Sequence, residues 1–127
     1  MKEMKLTVQI NRPIAEVFAF AVDPQNTPKW VESIVVEKTN EWPVIVGSIY
    51  RSQNKMGEWS EFAVTAFEEN RTFVLTKKDD TFQVRYTFIP INPDQTELVY
   101  ELVDYGELEE SYIQKLLDSL KRILESE

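Results

Sequence analysis

Apolar and polar residues alternate from Lys5 to Ile10, with Leu6, Val8 and Ile10 on one face and Thr7 and Gln9 on the other. That period of two predicts a half-buried strand. The period then changes. Pro13 suits the first turn of a helix, where its missing N–H costs nothing, and Ile14, Val17, Phe18 and Ala21 follow at helical spacing. Asp23-Pro24 stops that helix, and Pro28 suits the start of a second, very short one that brings Trp30 back toward the core. Two small helices therefore form a corner.

From Ser33 to about Asp104 the pattern reads as strand after strand, and tight turns fix which residues face one another. A turn at Met56-Gly57 sets Ile49 opposite Val64 and Arg51 opposite Phe62. One at Glu69-Asn70 sets Val64 against Leu75 and Ala66 against Phe73, and one at Asp79-Asp80 sets Leu75 against Val84 and Phe73 against Tyr86. A loop from Pro90 to Gln95 lets Tyr86 face Tyr100 and Val84 face Leu102. Turns placed independently thus put the apolar residues of successive strands on one side, which predicts a continuous antiparallel meander. The other face carries Ser60, Thr72, Thr76, Gln83, Arg85, Thr87, Glu97 and Glu101, with Trp59, Val74, Val99 and Val103 as apolar exceptions. An antiparallel sheet can leave one face in water, while its apolar face needs a cover. A wide helical stripe supplies it: Leu108, Tyr112, Ile113, Leu116, Leu117, Leu120, Ile123 and Leu124. Acidic residues lie early in that helix and basic ones late, as its dipole prefers. A helix of roughly 18 residues would span ~27 Å.

Composition narrows the chemistry. The 127 residues suit one domain, 1–127, with no repeat or linker. With 14 basic and 22 acidic residues the net charge is −8, which disfavours nucleic acid and an anionic membrane surface as partners. There is no cysteine and no histidine. Disulfides, thiolate nucleophiles, the usual zinc sites and imidazole acid–base groups are therefore excluded, and no metal or other cofactor is expected. No apolar stretch approaches the ~20 residues of a membrane span, and the first residues lack an apolar signal core. The expected location is cytoplasmic.

The segment INRPIAEVFAFAVDPQNTPKW, through Ile10, Pro13, Val17, Phe18, Asp23, Pro24 and Trp30, resembles the opening signature of the START-like (SRPBCC) superfamily. The resemblance is nearest to its polyketide cyclase/dehydrase and lipid-transport group. Val46-Gly47-Ser48 resembles the glycine that opens the third strand there, and Thr96 to Tyr100 the start of the last strand. The resemblance implies an α+β helix-grip fold: a curved antiparallel sheet of seven strands around a long C-terminal helix, with two short helices between strands 1 and 2. It also implies a cavity between sheet and helix for a lipid-, sterol- or polyketide-like molecule.

Inward parity places Phe62, Phe73, Phe82, Tyr86, Phe88 and Tyr100 on the covered face, where they either line an apolar pocket or fill a plain aromatic core. Arg51, Gln53 and Lys77 fall inward by the same count. A buried cation needs a counter-charge, so Arg51 and Lys77 would suit an acidic head group on the ligand, unless nearby acids pair with them. Trp30 and Trp42 read as plugs near the short helices and Trp59 as solvent-facing. The expected ligand contacts are Arg51, Phe62, Phe73, Lys77, Phe82, Tyr86, Phe88 and Tyr100. No catalytic motif is recognisable, and carriage of a small apolar ligand is the leading reading. A cyclase-like enzyme would need a buried polar pair such as Arg51 and Tyr86 aimed into a void. An interaction module with an unidentified protein partner would show a closed cavity and an apolar patch around Trp59.

Overall fold

A computed structural model describes residues 2–126. The alternating N-terminal segment forms β1 (Glu3–Ile10), in which Val8 and Ile10 are buried. Pro13 precedes α1 (Ile14–Val22), whose Val17, Phe18, Ala21 and Val22 face the interior. Pro28 lies in the first turn of α2 (Thr27–Trp30), and that helix ends on a buried Trp30. Six further strands follow: β2 (Ile34–Thr39), β3 (Ile49–Asn54), β4 (Trp59–Glu68), β5 (Thr72–Lys77), β6 (Gln83–Asn92) and β7 (Gln95–Val103). They form one antiparallel sheet in the order β1-β7-β6-β5-β4-β3-β2, so a six-strand meander is closed on one side by the N-terminal strand. The sheet curls around α3 (Glu110–Glu125) in the α+β helix-grip arrangement.

Helix α3 starts two residues after the first residue of the expected apolar stripe, Leu108, which precedes it and is 37% exposed. Ile113, Leu116, Leu117, Leu120 and Leu124 recur at three- and four-residue intervals and are all buried against the sheet. Its C-terminal end is fastened to the β1–α1 corner. Arg12 Nε donates to the Leu124 carbonyl at 2.9 Å, and Lys121 Nζ donates to the Gln9 carbonyl at 2.7 Å. Glu125 accepts from the Asn11 N–H at 2.8 Å and from Lys121 at 2.7 Å. The Arg12 bond satisfies a carbonyl that the helix end leaves open.

The expected pairs Leu75–Val84, Phe73–Tyr86, Tyr86–Tyr100 and Val84–Leu102 are all present. Between β3 and β4 the register differs by one residue. The connection has three loop residues, Lys55, Met56 and Gly57, rather than two. Gly57 adopts φ 84°, and Asn54 Oδ1 accepts the N–H groups of Met56 and Glu58. A three-residue loop closed by a left-handed glycine is a standard hairpin alternative. It pairs Ile49 with Ala63, Tyr50 with Phe62 and Arg51 with Glu61. Side chains alternate between faces, so the slip turns Tyr50 and Ser52 inward and Arg51 and Gln53 outward. Ser60, expected on the outer face, instead lines the inner one with Phe62, two residues along β4.

Farther along β4, a bulge between Val64 and Ala66 makes Phe67, not Ala66, the partner of Phe73. Strands β6 and β7 continue past the expected loop to an Asn92–Gln95 pair, leaving only Pro93 and Asp94 to turn. Trp42 is 57% exposed and is not a plug, since it lies in the β2–β3 connection outside the core.

Candidate functional site

The inner face divides into a solid part and a hollow part. Around α1 the aromatic rings pack on one another: Phe18 lies 5.0 Å from Phe88 and 5.6 Å from Phe67 in edge-to-face contacts. Phe88 belongs to this filled region, stacked behind Tyr86 at 6.2 Å. Beyond Tyr86 the sheet and α3 diverge around a cavity of about 460 Å³. Tyr86, Tyr100, Phe73, Leu75 and Val84 form its floor, and Tyr112, Ile113 and Leu116 of α3 form its roof. Phe62 and Phe82, 5.9 Å apart, line it together with Lys77 at the end of β5. Five of the six expected aromatics and Lys77 therefore border one space.

Arg51 does not. On the outer face its guanidinium stands 5.0 Å over the Trp59 ring and 3.3 Å from Glu61, which also meets Lys78 at 3.4 Å. The acids near Arg51 have taken it, and the one-residue register change keeps it out of the cavity that Lys77 borders. Arg51 and Tyr86, the example of a buried polar pair that a cyclase-like site would aim into a void, do not meet there.

The floor is an aromatic cluster with polar tips. Tyr86 and Tyr100 cross edge-to-face at 5.1 Å, and Trp30 stands 6.4 Å from each ring. Burial pushes both phenols well above their usual range, so both remain neutral. Tyr50 Oη donates to the Val22 carbonyl at 2.6 Å, tying β3 to the end of α1. Its phenol is also raised, first by burial and then by the negative charges of Glu37 and Asp23. The Tyr112 hydroxyl is buried without a hydrogen-bond partner among the described residues.

Glu37 was not among the expected site residues. It lies in β2 opposite Ser52, on the inner face, and its side chain lines the cavity. One carboxyl oxygen accepts the Thr27 hydroxyl at 2.6 Å. Burial raises the carboxyl from its usual 4.5 to about 7, against the opposing pull of the Thr27 bond. The sequence signal was weak for a physical reason. A bulge between Ile34 and Val36 breaks the alternation of β2, and two adjacent valines leave its faces undecided. The register of β3 that would have settled them was itself off by one.

Comparison with known proteins agrees with this geometry. A family model for polyketide cyclase/dehydrase and lipid transport proteins matches residues 1–125. Among solved structures, the Aha1 dimer from Colwellia psychrerythraea superposes with a TM-score of 0.76 at 16% identity, covering 98% of this chain and 97% of that one. A protein from Mesorhizobium loti gives 0.76 at 19% identity, covering 98% of each chain. The AHSA1-like protein from Aeromonas hydrophila gives 0.69 at 20% identity, covering 97% and 93%. At these identities the likeness concerns the fold alone. No curated protein matches the chain.

Proposed function

The chain belongs to the polyketide cyclase/dehydrase and lipid transport family, and from that membership we propose that it binds and carries a small apolar ligand between the sheet and α3. The observation that carries this reading is the cavity of about 460 Å³, walled by aromatic and aliphatic side chains with a few polar tips. That is the usual character of a small-molecule site. An apolar molecule entering it would exchange water contact for Phe62, Phe73, Phe82, Tyr86 and Tyr100, a gain that scales with the area covered. Lys77 is the one cation on the wall among the described residues, and it is the group that would meet an acidic head on such a ligand. An open cavity argues against an interaction module with a closed core. Trp59 is 43% exposed, with the Arg51 guanidinium 5.0 Å over its ring.

Native mass spectrometry of the purified protein, followed by solvent extraction, tests the proposal. A reproducible adduct of defined mass is expected, or a stoichiometric one after incubation with a panel of apolar compounds. A bare 14.9 kDa chain under both conditions would overturn it.

A further inference from the structure

An ionised carboxyl group at the edge of an apolar cavity is costly unless it is paired, and burial otherwise drives it toward its neutral form. Glu37 is in that position: it lines the cavity, and among the described residues its side chain makes a single hydrogen bond, from Thr27, and no ion pair. The titratable groups that feel its charge are phenols, Tyr50 from β3, Tyr86 from β6 and Tyr100 from β7. Tyr112 reaches the same cavity from α3. Asp23, beyond the end of α1, adds a second negative charge near Tyr50. The Tyr50 hydroxyl is committed to the Val22 carbonyl. Lys77 lies on the same wall but forms no ion pair with Glu37. The cavity therefore offers an unanswered carboxylate beside the faces and edges of several aromatic rings. Those two features together suit a cation, since aromatic faces and a carboxylate both attract positive charge. The net charge of −8 favours a cation further.

We infer that the cavity selects apolar ligands carrying a protonated amine, with the ammonium group held by Glu37 and Thr27 among the tyrosine rings. This rests on the ligand-binding reading of the cavity and names the chemical class of what it takes. It reverses the polarity suggested by pairing Arg51 with Lys77: the buried head is basic, not acidic.

Three probes of equal chain length, octylamine, octanol and octanoic acid, separate the possibilities when titrated against a fluorescent apolar reporter. Octylamine should bind about tenfold or more tightly than octanol, the scale of a hydrogen bond to a charged group. Octanoic acid should bind more weakly than octanol. Glu37→Gln should remove the preference, so that within the variant octylamine and octanol bind to within about twofold of each other, well inside what a charged hydrogen bond is worth. In the unaltered protein, amine affinity should decline as pH falls through 7, because the alkylammonium stays charged while the carboxyl takes up a proton. This arm needs no variant and stands even if Glu37→Gln folds poorly. Equal binding of amine and alcohol, with no effect of pH, would overturn the inference while leaving the cavity reading intact. Binding of none of the three, and of no reporter, would overturn both.

Discussion

Glu37 couples the cavity to the stability of the fold. The carboxyl titrates near 4.5 when exposed and near 7 in the folded chain. Between those values the folded protein holds a proton that the unfolded protein has lost, so stability falls as pH rises through that window. A shift of this size corresponds to about 3 kcal/mol of destabilisation once pH passes 7. Glu37→Gln has no proton to lose, so its urea midpoint should change less than the wild type's between pH 4.5 and 7. Identical slopes for the two proteins would show that the ionised carboxyl is better solvated than its position implies. Glu37 also marks a limit of sequence reading. Tyr86 and Tyr100 were legible as neighbours because the expected Pro90 to Gln95 loop gives the register that β6 and β7 keep below their bulge, whereas Glu37 sits in a bulged edge strand whose facing depends on a distant loop. Arg51 failed for the same reason, since parity counts are only as good as the turn that starts them.

Among the elements, α3 shows how unevenly a cover can be fastened. Its C-terminal turn is held by Arg12, Asn11, Lys121 and Glu125, while its N-terminal turn has no side-chain cap. The hydrogen bond from Lys121, then that from the Asn11 N–H, holds the Glu125 carboxyl below its usual range. Arg12→Ala should therefore lower stability by about 1–2 kcal/mol in denaturant unfolding, the worth of a charged group bonded to a helix C-terminus. No change would mean that water replaces the guanidinium without loss. This cover was written plainly in the chain as five buried residues at helical spacing. Its fastening was not, because Arg12 and Leu124 are brought together only by the closure of β1 onto β7.

Over the whole molecule, the cavity belongs to no single element. Its wall draws on all three helices and six of the strands, so a fold that closes correctly makes the space as a by-product. Leu116 tests this, being buried in α3 yet bordering the cavity. Leu116→Ala should cost about 2–3 kcal/mol in urea unfolding, the low end for a buried leucine, because one side of the residue already borders a void. A loss of about 5 kcal/mol would instead indicate a tightly packed site. The overall arrangement was readable because it rests on periodicity summed over many residues. The hollow was not, since whether facing side chains meet depends on how far the sheet curls. The described residues include no helix long and apolar enough to cross a membrane.

The loop Lys55-Met56-Gly57 has a consequence for how such cavities diverge. A point substitution changes one side chain, whereas deleting a single loop residue would exchange the two faces of β3 relative to β4. Tyr50 and Ser52 would leave the interior and Arg51 would enter it, replacing neutral hydroxyls with a guanidinium in one step. In a lineage built on this scaffold, short insertions and deletions at hairpin tips would then be a faster route to new ligand chemistry than substitutions within the cavity, and descendants alike in composition could bind molecules of opposite charge.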